Sequence, residues 1–364
     1  MIEHLAEISR ACDLRIPEAH RLPIAHVGAG AIVEGAHAPA YRKAGLTVTG
    51  AFDVDLARAT AFAERWDLPR VYATLDELLA DEAVSIVDIA VPPWEQPTIV
   101  RRALEAGKDV LAQKPFTLDS GTASELVALA RKLGRKLAIN QQLRFDEGIA
   151  ATRAMLERGW IGTPAALEMT VDIFIDWRSW FAEADGLAIW YHGIHELDAI
   201  RSLFGTPESV WCAGGSLPGT PGRGERRVMC GLRYRDGKTV MLHVSTENRT
   251  GFPAATFRID GTDGAIRGTL RRFYKNEQTG PDHLEVWSRT LPTDGWLAYP
   301  CTTRWFPDAF AGPMRSLLAA IAEDREPSPS AADNLETMRL VEALYRSLET
   351  GDAQRVAPEG HRVS

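Results

Sequence analysis

Along the first 140 residues the hydrophobic positions fall into two alternating patterns. Short apolar runs rich in β-branched residues occur at 22–27, 46–52, 84–91, 108–112 and 137–140. Between them, apolar residues recur at helical spacing over 31–44, 55–66, 95–106 and 120–133. Strands with little polar alternation are buried on both faces, so the pattern predicts βαβ units and a parallel sheet covered by helices. The punctuation agrees. Gly107 and Gly134 stand just past two of the helices, and Asp119 stands just before one, where left-handed C-caps and side-chain N-caps belong.

Near residue 143 the rhythm changes. A helix is expected over 146–158, ending at Gly159, then a long strand over 165–176 and a helix over 188–204. From 209 to 287 several strands are separated by the turn dipeptides Pro221-Gly222, Asp236-Gly237 and Asp263-Gly264, a helix-poor stretch that predicts an antiparallel sheet. Helices over 308–323 and 331–349 follow. The expected organisation is a polar, partly helical extension (1–20), a parallel α/β domain (21–143) and an α+β domain (144–364).

A chain of 364 residues has room for two such cores. Its net charge of −8 lacks the footprint of a nucleic-acid binder, and no nucleic-acid partner is expected. No apolar run approaches the ~18 residues needed to cross a bilayer, so no membrane partner is expected either. Cys12, Cys212, Cys230 and Cys301 are widely spaced, with neither a disulfide framework nor a zinc-ribbon pattern. The first 20 residues carry early acids and no apolar signal core, which points to the cytoplasm.

Candidate chemistry sits at strand ends. Gly28-Ala29-Gly30-Ala31-Ile32 follows the first strand and opens the first helix. Gly28 suits the tight turn, and Gly30 lets backbone approach a pyrophosphate at the helix N-terminus. Val33 stands where a third glycine would complete the fingerprint. Asp53 ends the next strand, where a carboxylate accepts hydrogen bonds from an adenosine ribose and repels a 2′-phosphate. NAD is therefore expected, with NADP admitted by Arg58 nearby. A plain strand–helix turn, with Asp53 as an N-cap, is the alternative. Val91-Pro92-Pro93-Trp94 forms a rigid turn at the same edge, where doubly wound sheets bind ligands. Gln113-Lys114-Pro115 ends the next strand there, and Lys114 reads equally as a functional ammonium or a solvated lysine.

A second group lies on the helix over 188–204. Tyr191, His195, Asp198 and Ser202 stand at i, i+4, i+7 and i+11 and so share one stripe of that helix. An imidazole there can exchange a proton near neutrality, although a packing histidine with a solvated Asp198 is the commoner reading. His192 and His195 lack a third ligand and zinc-site spacing, so no metal is expected. Trp177 and Arg178, after the long strand, are candidates to line a pocket.

With Lys114 and His195 in view, the segments VGAGAI, AFDVDLARA, ALEAGKDVLAQKPFTL, RGWIGTP, GIHELDAIRSLFG and IDGTDGAI, with the C-terminal helix pair, carry a resemblance. The chain resembles the glucose–fructose oxidoreductase/inositol dehydrogenase/rhizopine-catabolism (GFO/IDH/MocA) family over nearly its whole length. The family's Glu-Lys-Pro reads Gln113-Lys114-Pro115 here. Its Asp-x-Gly-x-His-x-x-Asp becomes Tyr191-x-Gly193-x-His195-x-x-Asp198, with tyrosine replacing the first acid. Members often carry Thr-Pro-Asn where this chain has Val91-Pro92-Pro93-Trp94.

The resemblance implies an α/β Rossmann domain followed by an α+β domain with an open, mostly antiparallel sheet. It implies hydride transfer between nicotinamide and a secondary alcohol or ketone of a sugar, sugar derivative or cyclitol, in homodimers or homotetramers built on that sheet. On this reading Gly28, Gly30, Ala31, Ile32, Asp53, Val91, Pro92, Trp94, Gln113 and Lys114 hold the cofactor. Lys114, Trp177, Arg178, Tyr191, His192 and His195 surround the substrate. His195 takes the alcohol proton, Lys114 stabilises alkoxide charge and Tyr191 hydrogen-bonds a substrate hydroxyl. The rivals are an NAD-dependent glycosidase on the same fold and a non-catalytic dinucleotide-binding sensor.

Overall fold

The structure, a computed structural model, describes residues 2–175, 186–220, 223–250, 254–270, 282–292 and 295–356. Trp177 and Arg178 lie outside the described residues.

β1 (Ile24–Val27), β2 (Val48–Phe52), β3 (Ile86–Ile89), β4 (Asp109–Gln113) and β5 (Leu137–Asn140) form a parallel sheet in the order β2-β1-β3-β4-β5. Every residue of β1, β3, β4 and β5 is buried. Helices on both faces remove these strands from water, which explains their unbroken apolar runs. Four covering helices follow the expected spacing: α2 (Ala38–Lys43), α3 (Leu56–Trp66), α5 (Gln96–Glu105) and α6 (Ser120–Leu133). The Asp119 carboxylate accepts from the Thr122 N–H at the start of α6, and Gly134 ends it at φ +64°. α4 (Leu75–Ala80) was not expected. One and a half turns give periodicity too little length, though the helix buries Leu75, Leu78 and Leu79. The helix expected over 31–44 is π-wound at Val33–His37 before α2 begins.

The second sheet contains β6 (Pro164–Asp172), β7 (Ser209–Gly215), β8 (Arg227–Arg233), β9 (Thr239–Ser245), β10 (Ala254–Gly261), β11 (Gly264–Thr269), β12 (Leu284–Ser288), β13 (Leu297–Tyr299) and β14 (Gln354–Arg355). Its order is β13-β12-β11-β10-β6-β9-β8-β7-β14, and all neighbours are antiparallel except β6 and β9, which run parallel. One face carries the core: Val228, Cys230, Leu232, Val240, Leu242 and Val244 are buried. The other face exposes Trp211, Met229 and Met241. Alternation of period two gives both faces. α10 (Ala331–Thr350) lies against β7, where the Cys212 N–H donates to Ser347 Oγ at 2.9 Å.

α7 (Glu147–Glu157), α8 (Ile194–Phe204) and α9 (Ala311–Ala322) complete the framework. The helix expected over 188–204 is two elements, a π-wound segment Leu187–Gly193 followed by α8. The extension is not simply polar. α1 (Ile2–Ala11) packs on α7 and buries Ile8 completely.

Candidate active site

The strand order of the first sheet reverses between β1 and β3, and the carboxyl ends of such a pair form the ligand crevice of a doubly wound fold. The turn after β1 contains Gly28 at φ +98°, where an added Cβ would lie 2.3 Å from the Ala90 carbonyl oxygen. Only glycine allows the turns after β1 and β3 to approach so closely. At Gly30 an added Cβ would meet nothing within 4 Å, leaving open space at the helix start. The first-turn amides there lack acceptors within the helix. Ala31 and Ile32 are both exposed. This open, donor-lined cradle fits a dinucleotide pyrophosphate.

Asp53 follows β2 and is buried. Its carboxylate accepts from the Ala29 N–H at 2.9 Å and the Asp55 N–H at 2.9 Å, so it ties the glycine turn to the next strand end. It is not the N-cap of α3; Asp55 is, accepting from the Arg58 N–H. Arg58 Nη1 lies 3.4 Å from Asp53 Oδ1 with its side chain about half exposed, which places a cation beside the acid. Val91 and Pro92 are half-buried in the turn after β3, and Trp94 is exposed there. The Pro92 carbonyl accepts the Glu95 and Gln96 N–H groups that begin α5.

The loop after β4 is clamped from beneath. The buried Gln96 donates through Nε2 to the carbonyls of Gln113, Pro115 and Phe116, and its Oε1 accepts the Gln113 N–H. The Lys114–Pro115 peptide is cis. From this loop Lys114 crosses to the second domain, where its Nζ donates to the Tyr191 carbonyl oxygen at 2.6 Å. Tyr191 lies in the π-wound segment four residues before His195, and both side chains are buried.

The helix is wound in two ways: of the expected stripe only Tyr191 lies in the π-wound part, while His195, Asp198 and Ser202 all lie in α8. The π-wound turns alter the angular spacing ahead of Ile194, and the helix is not a solvated face. The His195 ring meets Trp305 edge-on, with centroids 5.6 Å apart. His192 Nδ1 lies 3.6 Å from Glu196 Oε2, and that carboxylate is fully buried. Asp198 turns away into a structural network. It accepts from Arg144 Nε at 2.5 Å, Arg144 Nη2 at 2.8 Å and Thr337 Oγ1 at 2.8 Å. Arg144 also pairs with Asp333 at 2.6 Å, and Asp333 with Arg201 at 3.1 Å. Ser202 bonds back to the Ala199 carbonyl. Among the described residues no group of three or more His, Cys, Asp or Glu side chains is arranged to hold a metal ion.

Sequence reasoning missed several contributors. Gln96, Arg144 and Trp305 carry no local motif, because each acts on a partner distant in sequence. His26 and Asp88 are polar residues within the fully buried β1 and β3. Beneath the cofactor crevice, Asp88 Oδ2 lies 2.7 Å from His37 Nδ1 and 3.2 Å from His26 Nδ1, and accepts the Tyr41 hydroxyl at 2.8 Å.

The fold and this crevice define a two-domain dinucleotide-binding protein whose strand-end lysine reaches into its second domain. Two family models match: one described as an oxidoreductase family with an NAD-binding Rossmann fold, over residues 22–141, and one described as the GFO/IDH/MocA C-terminal domain, over 149–267. The chain belongs to the GFO/IDH/MocA family, and it is an oxidoreductase with an NAD-binding Rossmann domain.

Among curated relatives, D-apiose dehydrogenase of Paraburkholderia graminis is 28% identical over 314 residues, 84% of this chain and 82% of that protein. 1,5-Anhydro-D-fructose reductase of Ensifer adhaerens is 24% identical over 91% of this chain and 97% of that protein. An oxidoreductase from Agrobacterium radiobacter, solved with NAD+, L-tartaric acid and magnesium, superposes with a TM-score of 0.81 at 25% identity, covering 92% of this chain and 98% of that one. No helix of the described residues is long and apolar enough to cross a membrane.

Proposed function

We propose that this oxidoreductase moves hydride between nicotinamide and a secondary alcohol or ketone of a sugar, sugar derivative or cyclitol. The observation that carries the reading is the 2.6 Å hydrogen bond from Lys114 to the Tyr191 carbonyl. It joins the carboxyl edge of the Rossmann sheet to the helix that bears His195. Relatives named for D-apiose and 1,5-anhydro-D-fructose support the substrate class.

NAD, when bound, supplies the hydride-accepting chemistry. Gly28, Gly30, Ala31 and Ile32 hold its pyrophosphate, Asp53 its adenosine ribose, and Val91, Pro92, Trp94, Gln113 and Lys114 line its nicotinamide end. Arg58 beside Asp53 leaves room for NADP as a weaker alternative. His195 takes the hydroxyl proton as hydride leaves carbon, and Trp305 fixes the plane of its ring. The Lys114 ammonium stabilises charge that develops on the alkoxide oxygen. Tyr191 and His192 donate to or accept from neighbouring hydroxyls. A tyrosine phenol, which ionises only near pH ~10, is a poor substitute for a carboxylate tuning the histidine, so Tyr191 is assigned to the substrate.

The same reading keeps the division into an extension (1–20), a dinucleotide domain (21–143) and a substrate domain (144–364). It places the protein in the cytoplasm, in keeping with four free cysteines. It also assembles copies through the second sheet, whose outer face exposes Trp211, Met229 and Met241 on three adjacent strands.

The test is a panel of aldoses, cyclitols and sugar acids with NAD+, followed by absorbance of reduced nicotinamide. Turnover of at least one polyol or sugar is expected. Release of free sugar from glycosides without net NAD reduction would replace this reading with the glycosidase. Binding of NADH without turnover of anything in the panel would favour the sensor.

A further inference from the structure

The residue replacing the family's acid, Gln113, sits in a chain of hydrogen bonds whose direction is forced. The Lys114 backbone N–H can only donate, and it donates to Gln113 Oε1 at 2.8 Å. That fixes the orientation of the amide, because the flipped form would set two donors against each other. Gln113 Nε2 therefore faces His37 Nε2 at 3.0 Å as a donor. Asn140 Nδ2 approaches the same nitrogen at 3.0 Å. The oriented Gln113 donor requires His37 Nε2 to be bare, so the ring proton sits on Nδ1 and is donated to Asp88 Oδ2 at 2.7 Å. The Tyr41 hydroxyl donates to the same oxygen, and His26 Nδ1 lies 3.2 Å from it. The groups facing His37 are thus His26 on β1, Tyr41 on α2, Asp88 on β3, Gln113 on β4, Asn140 on β5 and the apolar Phe310 ring at 5.2 Å. His26, His37, Asp88 and Asn140 are fully buried.

Resting on the dehydrogenase reading, we propose that Gln113 is a positioning residue for Lys114. It is anchored through a neutral, Nδ1-protonated His37 to Asp88, and so fixes the start of the lysine loop from within the Rossmann core. A glutamate at this position would accept from the Lys114 N–H equally well. Its second oxygen would then face the bare His37 nitrogen, and the ring would have to take up a proton. Gln113 and a neutral His37 are therefore a matched pair, and the chain holds Lys114 without a titrating link.

The test begins with histidine-selective 15N labelling of the full-length protein, with His37→Asn used to assign the signal. The proposal expects the Nδ1–H tautomer of His37 in the native chain and an imidazolium in Gln113→Glu. An Nε2–H tautomer in the native protein would overturn it. Gln113→Leu removes the anchor. Acylation of Lys114, followed by peptide mass spectrometry against the exposed Lys43 as reference, should accelerate at least fivefold.

Turnover in Gln113→Leu should fall about a hundredfold, the scale of a displaced catalytic group. Gln113→Glu should retain more turnover than Gln113→Leu and acquire a new inflection in its kcat–pH profile. Unchanged Lys114 labelling in Gln113→Leu would overturn the positioning role. The tautomer and labelling readouts need no substrate, so they stand if the sugar panel fails.

Discussion

Asp198 → Asn separates the structural half of the His195 helix from its chemical half. Asp198 belongs to the same sequence motif as His195, yet its carboxylate serves Arg144 and Thr337. Arg144 and Asp198 have side chains 7% and 1% exposed, so the pair is essentially dry. Breaking a buried ion pair on one side costs about 3–5 kcal/mol. Asparagine keeps an oxygen for Thr337, and Asp333 still faces Arg144, so the lower end, about 3 kcal/mol, is expected. At about 2 K per kcal/mol for a protein of this size, the melting temperature should fall by about 6 K. Well below that temperature kcat should stay within about threefold of native. Removing the orphaned cation as well, in Asp198→Asn/Arg144→Met, should recover part of the loss. Differential scanning calorimetry and steady-state kinetics on the same preparations decide the matter. A melting temperature within 1 K of native, with kcat reduced a hundredfold, would refute the reasoning and move Asp198 into the chemistry.

Asp53→Ala frees the buried Ala29 N–H and releases Arg58. It should weaken NAD about tenfold and strengthen NADP, read by nicotinamide fluorescence titration; unchanged affinity for both would misplace the ribose site. The Asp146 carboxyl is pushed well above its ordinary range, by burial first and by Asp282 beside it. A group that binds its proton more tightly when folded contributes fully below its unfolded pKa and loses that contribution as pH rises through the folded one. Asp146→Asn, which keeps the oxygen that accepts from Gly148 and Ile149, should therefore flatten the fall in melting temperature toward neutral and alkaline pH. Asp333 has the opposite sign. Despite burial, Arg144 and Arg201 hold it below the usual range, so its contribution is complete above the unfolded pKa and lost as acid brings the pH down through the lowered value. A scan of melting temperature toward low pH should show that loss, and Asp333→Asn should show less of it.

What the sequence made legible followed from how far each signal reaches along the chain. β5 and α6 were readable to the residue, because their apolar pattern and caps are local. The Gly28 turn and Asp53 could be placed because a strand–turn–helix register carries them. The helix bearing His195 reads as uniformly α-helical in sequence, since period alone does not reveal the π-winding of Leu187–Gly193, nor that His195 meets Trp305 while Asp198 pairs with Arg144. α4 was too short to register. Gln96, His37 and Arg144 were silent because their partners lie 17, 51 and 54 residues away. A glutamine before a lysine gave no hint that its amide was anchored in the core of the sheet. The parallel pairing of β6 with β9 was equally hidden, being a long-range choice made by the packing of the whole second sheet.

The central claim is that a strand-end ammonium acts beside the bound nicotinamide on the same hydroxyl as His195. The most direct measurement compares native protein with Lys114→Ala, using the best substrate from the panel and NADH binding on the same samples. Turnover should fall about a hundredfold or more, the cost of removing a group that stabilises developing charge, with NADH still bound within a few-fold of native. Near-native turnover in that variant would contradict the claim.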